Sequence, residues 1–246
     1  MPVFRLSSEL AFPRPELADA SGLLAVGGDL SPARLLFAYR IGVFPWYDAN
    51  QPILWWSPNP RHVLLPQEYH LPRSLRKELH RRRFELRVDQ AFEAVMRGCA
   101  RAFRPGQDGT WITEDMIEAY VRLHVLGYAH SIESWSAGEL CGGLYGISLG
   151  SCFFGESMFA ARPDASKVAF AGLVLQLWRW GFSLIDCQTR TAHLARFGGR
   201  DVARRRFMAL LAKGLLAPTR LGRWKLDEDL QDELAAWRGF ARGSAK

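Results

Sequence analysis

The spacing of apolar residues changes along this chain, and each change marks an element. Near the start, "SPARLLFAYRIG" sets Ser31 to cap a short helix, Pro32 in its first turn and Gly42 at its left-handed stop. The next stretch, "VFPWYDANQPILWWSPNPR", scatters Trp46, Trp55 and Trp56 among prolines, which excludes a long helix and predicts loops with short strands. From about Leu71 the period becomes helical again. "PRSLRKELHRRRF", "QAFEAVMRGCARAF" and "TEDMIEAYVRLHVLG" predict three short helices, the last capped by Thr113 and stopped by Gly127. Between Ala129 and Phe159 it shortens, and "AHSIESW", "ELCGGLYGISLG" and "SCFFGESMF" read as an antiparallel meander. A helix from about Ala165 to Trp180 follows, capped by Asp164 or Ser166 and stopped by Gly181, and then a strand in "FSLIDCQT". A strand, helix and strand on short links form a right-handed crossover, so the two strands lie parallel in one sheet.

The predicted fold class is α+β with a mixed, mostly antiparallel sheet. The turn-rich residues 1–62 form a small N-terminal domain and residues 63–246 a larger one. Beyond Leu226 the alternation of charge and apolar residues predicts a surface helix that frays at "ARGSAK".

Composition narrows the class. A chain of 246 residues that is 48% hydrophobic can bury a large core. No run approaches the ~18 apolar residues of a membrane helix, and the first residues lack the apolar centre of a secretory signal, so a cytoplasmic protein with no membrane partner is expected. Cys99, Cys141, Cys152 and Cys187 show no CxxC spacing, which argues against zinc and disulfides and for reduced thiols. The formal charge of +7 favours a polyanionic partner such as nucleic acid. A monomer is the default.

One residue is chemically out of place. Glu156 interrupts the apolar run Cys152, Phe153, Phe154, Met158, Phe159, where an ionised carboxylate must be paired, protonated or waiting for a cation. Strand alternation sets Glu156 beside Met158, and Asp186 beside Gln188 and Leu184. If both faces line one cavity, the result is an apolar pocket with two carboxylates and one amide, and a bulge at Gly155 re-aims Phe153 into it. Alternation also turns Cys187 away from Asp186 and Gln188, which disfavours a thiol nucleophile partnered by His193. Asp164 and Lys167 at a helix N-terminus suit an anion site or a simple cap. Arg76, Lys77, Arg81, Arg82 and Arg83 suit a phosphate-tracking patch or a solvated basic face, as do Arg200, Arg204, Arg205 and Arg206. Trp46, Trp55, Trp56 and Trp111 offer stacking platforms for a base, with the core as the default for Trp55 and Trp56.

Seven segments in order, "GLLAVGGDLSPARLLFAYRIGVFPW", "ILWWSPNPR", "GTWITEDMIEAYVRLHVLGYAHSIESW", "GGLYG", "GESMF", "ASK" and "LIDCQTRTAHL", resemble the leucyl/phenylalanyl-tRNA-protein transferases. The resemblance implies a larger domain similar to the GNAT acyltransferases and no metal or small cofactor. It implies an enzyme of the bacterial N-degron pathway that moves leucine, phenylalanine and, less readily, methionine from aminoacyl-tRNA to proteins beginning with Arg or Lys. On that resemblance Glu156 meets the α-amino group of the tRNA-borne amino acid, and Phe153, Met158, Ile185 and Leu144 hold its side chain. Trp46 and Trp111 flank the terminal adenosine with Tyr39 and Tyr120 near by, and Asp186 and Gln188 handle the incoming amine and its proton. Arg76, Lys77, Arg81, Arg82, Arg83 and Lys167 track tRNA phosphates. The chain departs from the family pattern at Asn59, at "ARFGGR" and at Leu144. Two other readings are a CoA-dependent N-acyltransferase, which the glycine-free "AARPDASK" disfavours, and a non-catalytic RNA-binding protein, which leaves Glu156, Asp186 and Gln188 without a purpose.

Overall fold

In the computed structural model, which describes residues 3–102 and 110–240, the strands sort into two sheets. The first holds β1 (Phe4–Leu6), β2 (Leu23–Gly27), β3 (Phe44–Pro45) and β4 (Leu54–Trp56) in the order β1-β2-β4-β3, with α1 (Pro32–Arg40) between β2 and β3. The second holds β5 (Arg61–Leu64), β6 (Glu85–Val88), β7 (Ala129–Ser136), β8 (Glu139–Leu149), β9 (Cys152–Ala160), β10 (Leu184–Asp186) and β11 (Arg200–Val202). Its order is β11-β5-β10-β9-β8-β7-β6, and within this sheet, among the described residues, β9 and β10 form the only parallel pair. The helices of this part are α2 (Arg73–Arg81), α3 (Phe92–Arg101), α4 (Glu114–Val125), α5 (Ala165–Arg179), α6 (Ala192–Ala195), α7 (Arg204–Gly214) and α8 (Leu230–Ala236). The architecture is α+β with a mixed, mostly antiparallel second sheet, as the sequence predicts.

Local chemistry explains the ends of the elements. The Ser31 hydroxyl accepts from the Arg34 amide and the Thr113 hydroxyl from that of Met116, each satisfying a donor that has no partner within its helix. Gly42 and Gly127 close α1 and α4 at φ +74° and +81°. The meander is β7-β8-β9, and α5 is the crossover between β9 and β10. Residues Ala165 to Leu177 of α5 are buried almost throughout, because the helix lies on the sheet and is covered on its other side by α2 and α8.

Several expectations need correction. The segments Arg61–Leu64, Glu85–Val88 and Arg200–Val202 are strands that the apolar pattern did not signal. β5 hides Arg61 and His62 in the second sheet, so that sheet begins two residues before 63, the expected start of the larger domain. Asp164 occupies the cap position of α5 at φ +68° without capping it, and its carboxylate takes the Lys167 ammonium at 2.6 Å instead. The tail is more than a surface helix, since Leu230, Leu234 and Trp237 are buried against α2 and α5. The expected fraying at 241–246 lies outside the described residues.

The two faces of the second sheet carry separate cores, and the break between them positions the site. Phe154 and Leu184 face the core shared with the first sheet, whereas Phe153, Ile185 and Cys187 face α5. Between β8 and β9 the register runs Tyr145 to Ser157 and then Gly146 to Gly155, so Glu156 is an extra residue with no partner across the ladder. Because of this bulge Phe153 and Met158, five positions apart, look into the same cavity. Gly146 is obligatory beside it, because a Cβ there would stand 2.2 Å from the Phe154 carbonyl oxygen and 2.6 Å from Phe153 Cζ. Gly146→Ala is therefore expected to destabilise the protein by about 1–3 kcal/mol through overpacking, read from the urea midpoint.

Candidate active site

Beneath α5 the bulged strand and β10 wall a cavity of about 350 Å³. Leu144, Phe153, Met158, Phe170, Leu173 and Ile185 supply its apolar surface, Glu156 and Gln188 its polar end, and Trp46 and Trp111 also border it. Trp46 is exposed, and its ring leans on Trp56 at 5.7 Å. Glu156 is buried and is held by uncharged donors: Tyr39 Oη to Oε1 at 2.7 Å, Gln188 Nε2 to Oε1 at 2.8 Å and Tyr120 Oη to Oε2 at 3.3 Å. Among the described residues no Arg or Lys side chain pairs with it. Burial pushes its pKa up to about 7, opposed by the Tyr39 hydrogen bond and reinforced by the negative charge of Asp186.

Asp186 does not share this cavity, which corrects the expectation of two pocket carboxylates. On β10 the alternation aims Ile185 and Cys187 at the cavity and Asp186 at the opposite core. There it is fully buried and gripped by Arg61, Nε to Oδ1 at 2.8 Å and Nη2 to Oδ2 at 2.6 Å. Arg61 also donates to the Gly42 carbonyl and lies between the rings of Phe44 and Phe207, at 4.7 and 4.5 Å. Asp186 Oδ1 in turn accepts the backbone N–H of Gln188 at 2.9 Å, and Gln188 has φ +61°. That left-handed residue breaks the strand alternation, so the Gln188 side chain swings back onto Glu156. Asp186 therefore acts on the cavity through the backbone of Gln188, with both of its carboxylate oxygens engaged by Arg61.

The other anticipated residues divide. Phe153, Met158, Ile185, Leu144, Trp46 and Trp111 border the cavity as expected. Tyr39 and Tyr120 do not border it but are fully buried behind Glu156. Trp55 is core. Cys187 does border the cavity, yet burial first and Asp186 second push its thiol far up, which makes it inert as a nucleophile. His193 borders the cavity too, and burial lowers the pKa of its imidazole. Of the basic residues, Arg81 and Arg83 pair with Glu78, Arg82 with Asp232 and Lys167 with Asp164. Sequence reasoning missed Arg61, Phe170 and Leu173. The last two carry a signal in the uniformly apolar "VAFAGLVLQL", but nothing local marks Arg61, whose partner lies 125 residues away.

The fold and the cavity define a class: an α+β protein with an apolar cavity that ends on a buried carboxylate lacking a cationic partner among the described residues. Comparison with known sequences narrows it. The profile "Leucyl/phenylalanyl-tRNA protein transferase" matches residues 63–212, and the profile of the N-terminal domain of the same family matches residues 28–59. The leucyl/phenylalanyl-tRNA–protein transferase of Anaeromyxobacter sp. (strain Fw109-5) is 60% identical over 227 residues, covering 92% of this chain and 97% of that one. Its counterpart in Myxococcus xanthus (strain DK1622) is 58% identical over 226 residues, covering 91% and 97%. The chain belongs to the leucyl/phenylalanyl-tRNA–protein transferase family. Among solved structures, L-PGS from Bacillus licheniformis matches at 9% identity with a TM-score of 0.38, over 85% of this chain and 70% of that one, too distant a likeness to bear on fold or activity.

The Arg61–Asp186 pair yields a stability test. Asp186→Ala leaves a buried guanidinium without its acid and is expected to cost about 3–5 kcal/mol in urea denaturation. The double substitution Arg61→Met/Asp186→Leu is expected to recover much of that loss, because no charge is then stranded.

Proposed function

We propose that this protein transfers leucine, phenylalanine and, less readily, methionine from aminoacyl-tRNA to the α-amino group of proteins that begin with Arg or Lys, marking them for N-degron degradation. The observation that carries the reading is the buried carboxylate Glu156, which ends an apolar cavity and, among the described residues, has only hydroxyl and amide partners. The cation it lacks arrives as the α-ammonium of the esterified amino acid. The apolar walls take that amino acid's side chain, and selection by shape is enough: each methylene in such a site is worth roughly 1–3 kcal/mol, while β-branched side chains meet the walls. Trp46 and Trp111 sandwich the terminal adenosine.

The chemistry is aminolysis of an ester. The acceptor nitrogen forms a bond to the ester carbonyl carbon, the bond to the ribose oxygen breaks, and the proton lost by the amine ends on that oxygen. An α-amino group with a pKa near ~8 is partly unprotonated at neutral pH, so positioning supplies most of the rate. Gln188 orients the amine through its amide oxygen, and Asp186 holds Gln188 in place. Along the tRNA, Arg76 and Lys77 meet phosphates directly. Arg81, Arg82, Arg83 and Lys167 exchange acidic partners for phosphate at little cost, because exposed ion pairs are worth about 0–1 kcal/mol. The reading supposes a monomer acting in the cytoplasm, without metal or cofactor; no described helix is long and apolar enough to cross a membrane.

Incubation with radiolabelled Phe-tRNA and an Arg-initiated peptide tests the reading. Transfer to that peptide, and none to its Ala-initiated counterpart, is expected. Binding without transfer would leave an RNA-binding protein, and dependence on acetyl-CoA a CoA-dependent acyltransferase. The pKa of Glu156, about 7, sets a pH dependence. Folding raises it from an unfolded value near ~4.3, so its contribution to stability is complete below about pH 4 and is lost as pH rises through about 7, on the order of 3 kcal/mol. Glu156→Gln, which cannot ionise, is therefore expected to melt at a higher temperature than the unliganded parent at pH 8 and at a similar one at pH 5. The same substitution is expected to raise the donor KM by roughly thirty-fold or more and to abolish its improvement through pH 7.

A further inference from the structure

Behind Glu156 two phenols from different parts of the chain meet on one carboxylate. Tyr39 comes from α1 and Tyr120 from α4, both are wholly buried, and neither borders the cavity. Their hydroxyl oxygens lie 2.5 Å apart, with Tyr39 Oη 2.7 Å from Glu156 Oε1 and Tyr120 Oη 3.3 Å from Oε2. Two phenolic hydrogens must serve three oxygen contacts when Glu156 is ionised, so one contact goes without a hydrogen. The longest, Tyr120 to Oε2, is the one left out. Tyr120 then donates to Tyr39, Tyr39 donates to Oε1, and Gln188 Nε2 donates to the same Oε1 at 2.8 Å. Oε1 is saturated from the protein side, whereas Oε2 keeps its lone pairs.

We propose that Tyr39 and Tyr120 are positioning residues, a hydroxyl chain that fixes Glu156 through Oε1 and reserves Oε2 for the ammonium of the aminoacyl donor. The inference rests on the aminoacyl-transfer reading above. Protonation of Glu156 closes the unused contact: the carboxyl hydrogen sits on Oε2 and points at Tyr120 Oη, each of the three oxygen–oxygen contacts then carries a hydrogen, and the oxygen that received the ammonium has become a donor. The chain of phenols thus holds the carboxylate in one orientation and also provides the resting place of the proton that blocks it. The groups around this network are few. Tyr145 on β8 stands edge-on to Tyr120 at 5.9 Å, and Asp186 on β10 lies beyond Gln188 with its charge matched by Arg61 on β5.

The test is the titration of Glu156 in the ligand-free protein, followed by the carboxyl 13C shift of labelled glutamate, together with donor kinetics across pH. Tyr39→Phe removes the nearest hydroxyl donor to the carboxylate and is expected to raise the Glu156 midpoint by about one pH unit or more. At pH 7 its donor KM is expected to rise about ten-fold, with kcat changed less than about two-fold. Tyr120→Phe removes both the hydroxyl behind Tyr39 and the acceptor of the carboxyl hydrogen, two effects of opposite sign, so its midpoint is expected to move less than that of Tyr39→Phe. An unmoved or lowered midpoint in Tyr39→Phe, a larger shift in Tyr120→Phe, or a loss of kcat at unchanged KM, overturns the proposal. A merely structural role would lower the melting temperature and leave the titration in place, which also overturns it. Should the unsubstituted protein transfer nothing, the functional reading fails, while the 13C titration still decides whether the phenols orient the carboxylate.

Discussion

A carboxylate taken out of water with no counter-ion among the described residues sets the terms for the rest of this structure. Glu156 loses its hydration to an apolar cavity and receives in return the Tyr39 phenol, backed by that of Tyr120, and the Gln188 amide, which stabilise the charge without cancelling it. The donors come from α1, α4 and the turn after β10, so the carboxylate is held only when the N-terminal sheet unit and the larger sheet are docked. Shared apolar packing enforces that docking, since Tyr39, Phe44 and Trp55 belong to the same core as Tyr120, Phe154 and Phe207. The site is thus a property of the whole chain, with the remaining half of the electrostatics left to the ligand.

The second buried acid is treated in the opposite way. Asp186 is neutralised inside the protein by a two-pronged guanidinium packed between aromatic rings, and nothing of its charge is offered to a ligand. Its value to the site is geometric. By holding the Gln188 N–H it supports a left-handed backbone, and that single conformation carries the Gln188 amide across the strand to Glu156. Two acids of similar sequence surroundings thus acquire different chemistry from one fact, the face of the sheet on which each side chain emerges.

The apolar part of the cavity has comparable support. Phe153 owes its direction to the bulge at Glu156, and its ring touches Trp224 of the C-terminal segment at 6.1 Å. Trp224 is stacked on His130, and its backbone N–H donates to the buried carboxylate of Asp89. The segment after α7 therefore buttresses the floor of the cavity from outside the span that the family profile matches, residues 63–212.

Much of the fold was legible from the sequence by itself: the Ser31 and Thr113 caps, the Gly42 and Gly127 stops, the meander, and the crossover that makes β9 and β10 parallel. These follow from local periodicity and from the few residues that tolerate a helix end, information that lies within about ten positions of where it acts. The oddity of Glu156 was legible for the same reason, because a lone acid in an apolar strand is a local contradiction. Only the tertiary structure decided that Asp186 meets Arg61, that Gln188 turns back on itself, and that Tyr39 and Tyr120 stand behind the carboxylate and do not line the cavity. Those outcomes depend on contacts spanning 81 to 125 residues and on one positive φ that reverses a side chain, and neither leaves a mark in the neighbouring sequence. The pattern along the chain specifies which surfaces are greasy and where they bend; which polar atoms end up facing one another is settled when the two sheets close over them.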